Sequence, residues 1–172
     1  MKTFKLLLLI SFLTVASTAA DKHASIVENT GLKLVGEGKM TFLFWDVYLA
    51  RLYTPSGGYK NTLTPLALEF NYLMDIEAKD LIEETVNQWR KQKMQRHDDE
   101  RLWLEQLNAI WPNVAEGDQL LFVVDENHYS RFYHNQNYLG VIESIDFSKR
   151  FSAIWLSENT TAPKVRKKLL GG

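Results

Sequence analysis

The chain has 172 residues, with 20 Lys and Arg against 21 Asp and Glu, four His and no Cys. A nearly neutral chain lacks the positive excess of a nucleic-acid-binding protein, so we expect no nucleic-acid partner. The absence of cysteine excludes disulfides, cysteine-ligated metal centres, thiol nucleophiles and lipid-modified cysteines. A hydrophobic content of 45% is typical of a globular protein, and the length predicts one folded domain.

The first twenty residues have the three parts of a secretory signal peptide. Lys2 and Lys5 form a short basic start, residues 6–15 form an uncharged apolar core, and residues 16–20 are small. This core is shorter than the roughly 20 residues of a membrane-spanning helix. Cleavage after Ala20, or one residue earlier after Ala19, is expected. Loss of residues 1–20 removes two lysines and no acid, which takes the net charge from −1 to −3. We therefore expect residues 21–172 to form one soluble domain in the periplasm, without a membrane span.

Residues 32–73 are rich in aromatic and β-branched side chains, which predicts strands. The predicted strands cover residues 32–35, 39–44, 47–53 and 66–73. Gly36 and Gly38 indicate a turn or bulge between the first two. Asp46 is predicted to mark a bend between strands or a bulge within one long strand. Residues 54–58 (TPSGG) are typical of a loop.

Helical periodicity follows from about residue 77 onward. Residues 77–93 carry apolar side chains at helical spacing, ending in Trp89, and residues 98–110 form a second predicted helix that stops at Trp111-Pro112. Strands are predicted at residues 120–124, 129–133 and 138–142, and further helices at 144–155 and 163–170. This order predicts a single α+β domain with a largely antiparallel sheet.

No motif for metal binding or nucleophilic catalysis is present. The four histidines lack the spacings of zinc sites, and no nucleophile elbow occurs. We therefore predict no metal and no other cofactor. The aromatic content of 12% is mostly core, yet tyrosine and tryptophan have polar ends that can edge an apolar pocket. These residues favour a ligand-binding site.

Several segments resemble bacterial chalcone isomerase-like proteins. Residues 36–53 (GEGKMTFLFWDVYLARLY) resemble the first strands of that family. Further similar segments follow in the same order: residues 67–72, the Gly117-Asp118 turn, and residues 139–142, 151–156 and 166–171. The chain is identified on these segments as a member of the exported bacterial group. The resemblance implies an open-faced β-sandwich, an antiparallel sheet with helices packed on one side.

The same resemblance implies two functions, of which the residues argue against one. Plant enzymes of the family cyclise chalcones to flavanones, whereas plastid relatives bind fatty acids without catalysis. The enzymes use an arginine just before a Gly-Leu pair, and the matching residue here is Thr30. They also use a tyrosine and an asparagine on the helix that corresponds to about residues 98–110. This chain has no tyrosine between residues 72 and 129, and Gln106 is the nearest amide in register. The threonine that orders catalytic water falls near Leu43. Loss of such groups typically removes about 3–4 kcal/mol of transition-state stabilisation each, so we predict no catalytic residues of this type.

The leading hypothesis is a non-catalytic protein that binds a small apolar or amphipathic, fatty-acid-like ligand between sheet and helices. Fatty-acid-binding relatives hold the carboxylate with an arginine in the glycine-rich strand, where this chain has Met40 with Lys39 beside it. A point charge on Lys39 or Arg51 is the candidate substitute. The predicted ligand-binding residues are Lys39, Thr41, Tyr48, Arg51, Tyr72 and Trp89.

Two alternative hypotheses remain open at this point. One is an isomerase or lyase with a substrate other than a chalcone, using Tyr48 or Tyr72 as the acid–base group. The other is an envelope interaction module that binds a partner through an exposed sheet face or the basic tail, residues 164–168. An uncovered apolar patch without an internal cavity would indicate this module. The sequence carries no signal for an oligomeric state.

Overall fold

The computed structural model describes residues 26–27, 30–60 and 65–172. Its centre is a six-stranded antiparallel sheet in which each strand pairs with the next strand along the chain. The strands are β1 (Lys33–Phe42), β2 (Trp45–Thr54), β3 (Leu66–Tyr72), β4 (Gln119–Val124), β5 (Ser130–His134) and β6 (Asn137–Ile142). The signal peptide predicted at residues 1–20 lies outside the described residues.

Four helices follow β3 and β6 in two pairs. They are α1 (Ala78–Lys91), α2 (Glu100–Ile110), α3 (Ile145–Leu156) and α4 (Pro163–Leu169). Side chains satisfy free amides at two helix starts: Ser144 Oγ accepts from the Phe147 amide at 3.2 Å, and Asn113 Oδ1 accepts from the Ala78 amide at 2.9 Å. Within the described part of the chain, none of the helices combines the length and the hydrophobicity needed to cross a membrane.

All four helices pack on one face of the sheet, which we call the inner face. Strand side chains alternate between faces, so residues of one parity in β2, β3 and β4 point at the helices. The buried inner-face residues of these strands are Ala50, Leu52, Leu66, Leu68, Phe70, Tyr72, Leu120, Phe122 and Val124. Trp89, Trp103 and Phe147 from the helices complete this core and are at most 2% exposed. The α+β open-faced architecture predicted from the sequence is therefore confirmed.

The opposite, outer face carries a smaller apolar cluster and a charged network. Val27 packs there against Ala67, Leu121 and Val123. Beside this cluster the Arg51 guanidinium donates to the carboxylate of Glu69 at 2.9 Å and also pairs with Glu37. The pairing keeps the buried Glu69 carboxylate satisfied.

The first hairpin differs from the prediction in the position of its turn. β1 and β2 are joined by Leu43 and Phe44, and Asp46 lies within β2. The Asp46 carboxylate accepts from Lys39 Nζ at 2.7 Å and from Thr41 Oγ1 at 2.9 Å, so it joins the two strands. The β1–β2 register shifts at two places: between Leu34 and Gly36, at the predicted glycine bulge, and between Met40 and Thr41, beside Asp46, where a bulge was the second predicted alternative.

Candidate ligand-binding site

A cavity of about 430 Å³ lies between the inner face of the sheet and helices α1 and α3. This volume is within the range of small-molecule sites, about 300–1,000 Å³. Its walls are mainly aromatic and aliphatic side chains, including Phe70, Leu81, Phe122, Phe132 and Phe151. The site therefore favours a ligand whose surface is largely hydrocarbon.

Two tyrosine hydroxyls are the polar groups that the sheet places in this cavity. Tyr48 of β2 and Tyr72 of β3 are register partners, and their ring centroids lie 5.9 Å apart. Trp155 Nε1 of α3 donates a hydrogen bond to the Tyr48 oxygen at 2.9 Å. This bond leaves the Tyr48 proton available, and the Tyr72 hydroxyl has no hydrogen-bond partner among the described residues. The pair can therefore donate two hydrogen bonds to a ligand oxygen.

Both hydroxyls stay protonated at ordinary pH. Burial raises the pKa of Tyr48 to about 12, although the hydrogen bond from Trp155 acts in the opposite direction. Burial also raises the pKa of Tyr72, which is only 6% exposed, and the neighbouring Tyr48 adds to that shift. Phenols with such pKa values are poor general bases near neutral pH. The geometry thus supports their use as neutral hydrogen-bond donors.

The mouth of the cavity is polar and is formed largely by α1. Gln88 Nε2 donates to the Glu84 carboxylate at 2.6 Å, and Lys91 Nζ lies 3.3 Å from the same oxygen. Burial raises the pKa of Glu84, but hydrogen bonds from Gln88, Asn87 and Lys91 outweigh that effect and leave the pKa below its ordinary value. Glu84 is therefore ionised near neutral pH, and Lys91 is the one cation among the described lining residues.

Of the six predicted ligand-binding residues, the structure brings Tyr48 and Tyr72 into the cavity lining. Lys39 and Thr41 both contact Asp46 beside the first hairpin turn. Neither residue is part of the cavity lining.

The other two predicted residues also lie away from the cavity surface. Arg51 is on the outer face, where it pairs with Glu37 and Glu69. Trp89 is fully buried in the core, and its Nε1 donates to the Arg150 carbonyl oxygen at 3.1 Å. Trp89 thus supports the helix layer behind the cavity.

Most residues of the cavity lining were not among those predicted from the sequence, and Trp155, Trp111 and Lys91 are three examples. Trp155 follows Phe151 by four residues, so helical spacing alone places both on one face of α3. Trp111 lines the cavity, and its buried Nε1 has no acceptor within the described chain. Lys91 carries no sequence signal that separates it from other basic residues at a helix end. The described residues also contain no group of three metal-ligating side chains.

Comparison with known proteins agrees with this architecture. A family model described as "Chalcone isomerase-like" matches residues 13–171. An uncharacterized protein of Haemophilus influenzae is 28% identical over 138 residues, which is 80% of this chain and 67% of that protein. The crystal structure of an Arabidopsis thaliana fatty-acid binding protein superposes with a TM-score of 0.65, at 12% identity, over 82% of this chain and 87% of that chain.

These matches differ in what they show. At 12% identity the Arabidopsis structure shows a shared fold. The family model spans nearly the whole sequence, and it confirms the resemblance inferred from the ordered segments above. The chain belongs to the chalcone isomerase-like family.

Proposed function

We propose that this protein binds a fatty-acid-like ligand, with a long apolar chain and an oxygen-containing head group, and does not transform it. The observation that carries the proposal is an apolar cavity of about 430 Å³ lined by two tyrosines whose hydroxyl protons are not donated to any described residue. Support also comes from the shared fold of the Arabidopsis fatty-acid binding protein. The aromatic walls would hold the chain, and Tyr48 and Tyr72 would hold the head group.

The energetics favour an occupied cavity. A ligand oxygen that accepts from both tyrosine hydroxyls would gain about 0.5–1.5 kcal/mol for each hydrogen bond. Transfer of hydrocarbon from water to the walls contributes about 25 cal/mol per Å² of buried apolar surface. Both contributions act only on a ligand with an apolar body and an acceptor at one end.

The charges around the cavity favour a neutral head group beside the tyrosines. Burial is the largest cause of the raised pKa of Tyr48, and the hydrogen bond from Trp155 lowers that pKa. Ionised Glu84 lies close enough to raise it further. The same negative potential disfavours a carboxylate next to the hydroxyls. A protonated acid or an ester carbonyl fits this position, whereas a carboxylate fits the mouth beside Lys91.

We infer from the signal-like residues 1–20 that this binding takes place in the periplasm. Native mass spectrometry of the full chain, purified from the periplasmic fraction of a bacterial host, tests location and ligand together. The expected spectrum shows a chain that begins after residue 19 or 20, with a co-purifying lipid-like mass. An intact N-terminus would contradict export.

Leu81→Trp is expected to weaken binding of a fatty acid at least tenfold. Leu81 lies half-buried on α1 and lines the cavity, so the larger indole would occupy ligand space. The measurement is the ligand-induced rise in melting temperature. A ligand causes this rise when it binds the native state and not the unfolded state. The matched control is Leu104→Trp, at a half-buried position of α2 outside this cavity, which should keep the rise. An equal rise in both variants would rule out the cavity as the site.

Tyr72→Phe is expected to weaken binding about 3- to 10-fold, because one donated hydrogen bond is worth about 0.5–1.5 kcal/mol. Tyr138→Phe, at an exposed position, serves as the control. A fatty acid and its methyl ester should bind the wild type with similar affinity if the head group lies at the tyrosines. Much weaker binding of the ester, together with a large effect of Lys91→Gln, would instead place a carboxylate at the mouth.

A further inference from the structure

The turn between β1 and β2 exposes four consecutive apolar residues, which we call the apolar tip. Phe42, Leu43, Phe44 and Trp45 are 65, 75, 96 and 68% exposed. Leu73 and Met74 lie at the same end of the sheet, because the Leu73 amide donates to the Val47 carbonyl oxygen. Leu43 also has a positive φ of 55°, which is an unfavourable conformation for a leucine. Glycine and asparagine are the residues that commonly adopt it.

We propose that the apolar tip docks the protein on a lipid bilayer, so that the hairpin end of the cavity, lined by Phe42 and Val47, faces the membrane surface. The docking rests on the tip itself, whereas its use in ligand uptake rests on the proposed function. Phe42 and Val47 belong to the hairpin and also line the cavity. A ligand that resides in lipid would therefore enter beside the inserted residues.

The size and shape of the tip favour a bilayer over a protein partner. A stable protein interface uses about 20–30 residues from each partner, whereas the tip and its two neighbours supply six. The tip is also a convex turn, which offers no groove for a partner chain. A fluid apolar phase can surround such a protrusion without a complementary surface.

The chemistry behind the tip sets an insertion depth. The Lys39–Asp46 ion pair and Thr41 form a polar boundary with satisfied hydrogen bonds. From the Thr41–Asp46 pair to the turn is about two residues, or about 7 Å at about 3.3 Å per residue. Interfacial segments bury about 5–10 Å into the headgroup and acyl boundary. Phe42 and Trp45 are register partners in the β1–β2 ladder, which limits the number of unpaired backbone N–H and C=O groups that would enter the bilayer. Tryptophan is also enriched at membrane interfaces.

Trp45 gives a local readout of insertion. The five tryptophans all lie in the described chain, and the other four are buried or half-buried. The experiment adds phosphatidylcholine vesicles, with and without phosphatidylglycerol, to the protein purified from the periplasm. We expect a blue shift of the Trp45 emission and quenching by lipids brominated in the acyl chain. Since the tip is uncharged, phosphatidylglycerol and salt should change the binding little.

Variants separate the tip from the rest of the protein. Phe44→Ser should weaken vesicle binding about tenfold, as expected for loss of one inserted aromatic side chain. The control Leu102→Ser removes an apolar side chain that is 52% exposed on α2 and should bind like the wild type. Mass spectrometry checks that all variants begin at the same residue. A difference in vesicle binding between them is then caused by the substitution alone.

Three outcomes would overturn the docking proposal. They are vesicle binding that is equal in Phe44→Ser and wild type, vesicle binding without a Trp45 shift, and a Trp45 shift that needs only higher protein concentration. The last would assign the tip to self-association. Phe44→Ser should keep the ligand-induced melting shift in the absence of vesicles, and Leu81→Trp should keep vesicle binding. Failure of docking and failure of ligand binding are thereby distinguished.

Discussion

Gly36→Ala is expected to destabilise the protein by about 3 kcal/mol or more, one of the two largest effects that the structure predicts for a single substitution. A Cβ at this position would lie 2.2 Å from the Lys168 carbonyl oxygen, 2.8 Å from the Leu169 carbonyl oxygen and 2.9 Å from the Gly171 amide nitrogen. All three are backbone atoms at the end of α4, so no side chain can move aside. The helix must shift away from β1, which opens the packing between them.

Two other glycines provide a graded comparison. A Cβ on Gly38 would lie 3.0 Å from the Val165 carbonyl oxygen, so Gly38→Ala should destabilise less than Gly36→Ala. Gly58 has only the Ser56 hydroxyl oxygen nearby, at 3.9 Å, and Gly58→Ala should be close to neutral. Denaturant-induced unfolding gives the three free energies. Equal values for Gly36→Ala and Gly58→Ala would show that α4 does not rest on β1 as described.

The position of α4 also bears on the cavity. Thr161 and Ala162, which immediately precede α4, line the cavity, and Thr161 Oγ1 donates to Gln88 Oε1 at 2.6 Å. A displaced α4 would therefore disturb one wall of the ligand site. The absence of side chains at two positions of β1 thus shapes a site that neither glycine touches.

The order of strands and helices could be predicted from the sequence because each element carries its own periodicity. Residues 77–93 have a helical apolar stripe, and the segment predicted as a strand at residues 66–73 forms β3 over Leu66–Tyr72, which is buried on both faces. The position of the first turn was harder to predict, because Leu43 and Phe44 include none of the glycine, proline or asparagine that marks most turns. The family resemblance then supplied the arrangement of the elements.

The candidate site was only partly predictable. Tyr48 and Arg51 are three positions apart in one strand. Strand alternation therefore places their side chains on opposite faces, and only one of them can face the helices. Which face carries the helices is a tertiary property, set by packing across the whole sheet. The partnership of Tyr48 with Trp155 spans 107 positions of the chain and has no local signal.

Glu100→Gln is expected to destabilise the protein by about 2–3 kcal/mol near neutral pH. Glu100 begins α2 and is 3% exposed, and its carboxylate binds Arg90 of α1 and lies 3.5 Å from Arg150 of α3. One carboxylate thus joins three helices. Arg150 also stacks over the Trp89 ring at 5.2 Å, and its buried Nε has no acceptor among the described residues. Loss of the Glu100 charge would leave this largely buried guanidinium with only the weaker charge effect of Asp146 nearby, which is unfavourable.

The effect should depend on pH in a defined direction. Burial raises the pKa of Glu100, but hydrogen bonding and charge from Arg90, with a further charge effect from Arg150, outweigh it and leave the pKa lowered. The stabilisation is therefore fully present above the ordinary glutamate pKa, about 4.3, and is lost as pH falls through the lower folded-state value. The gap between wild type and Glu100→Gln should narrow in acid.

Glu105→Gln is the matched control for this prediction. Glu105 lies on the same helix and pairs with Arg101 at 2.5 Å, but both side chains are more than half exposed. Such a pair contributes about 0.3–0.5 kcal/mol, so its loss should be small at every pH. Urea unfolding of the three proteins at neutral and acidic pH provides the comparison. A gap between wild type and Glu100→Gln that stays constant in acid would mean that side-chain shape, rather than the buried charge, holds the three helices together.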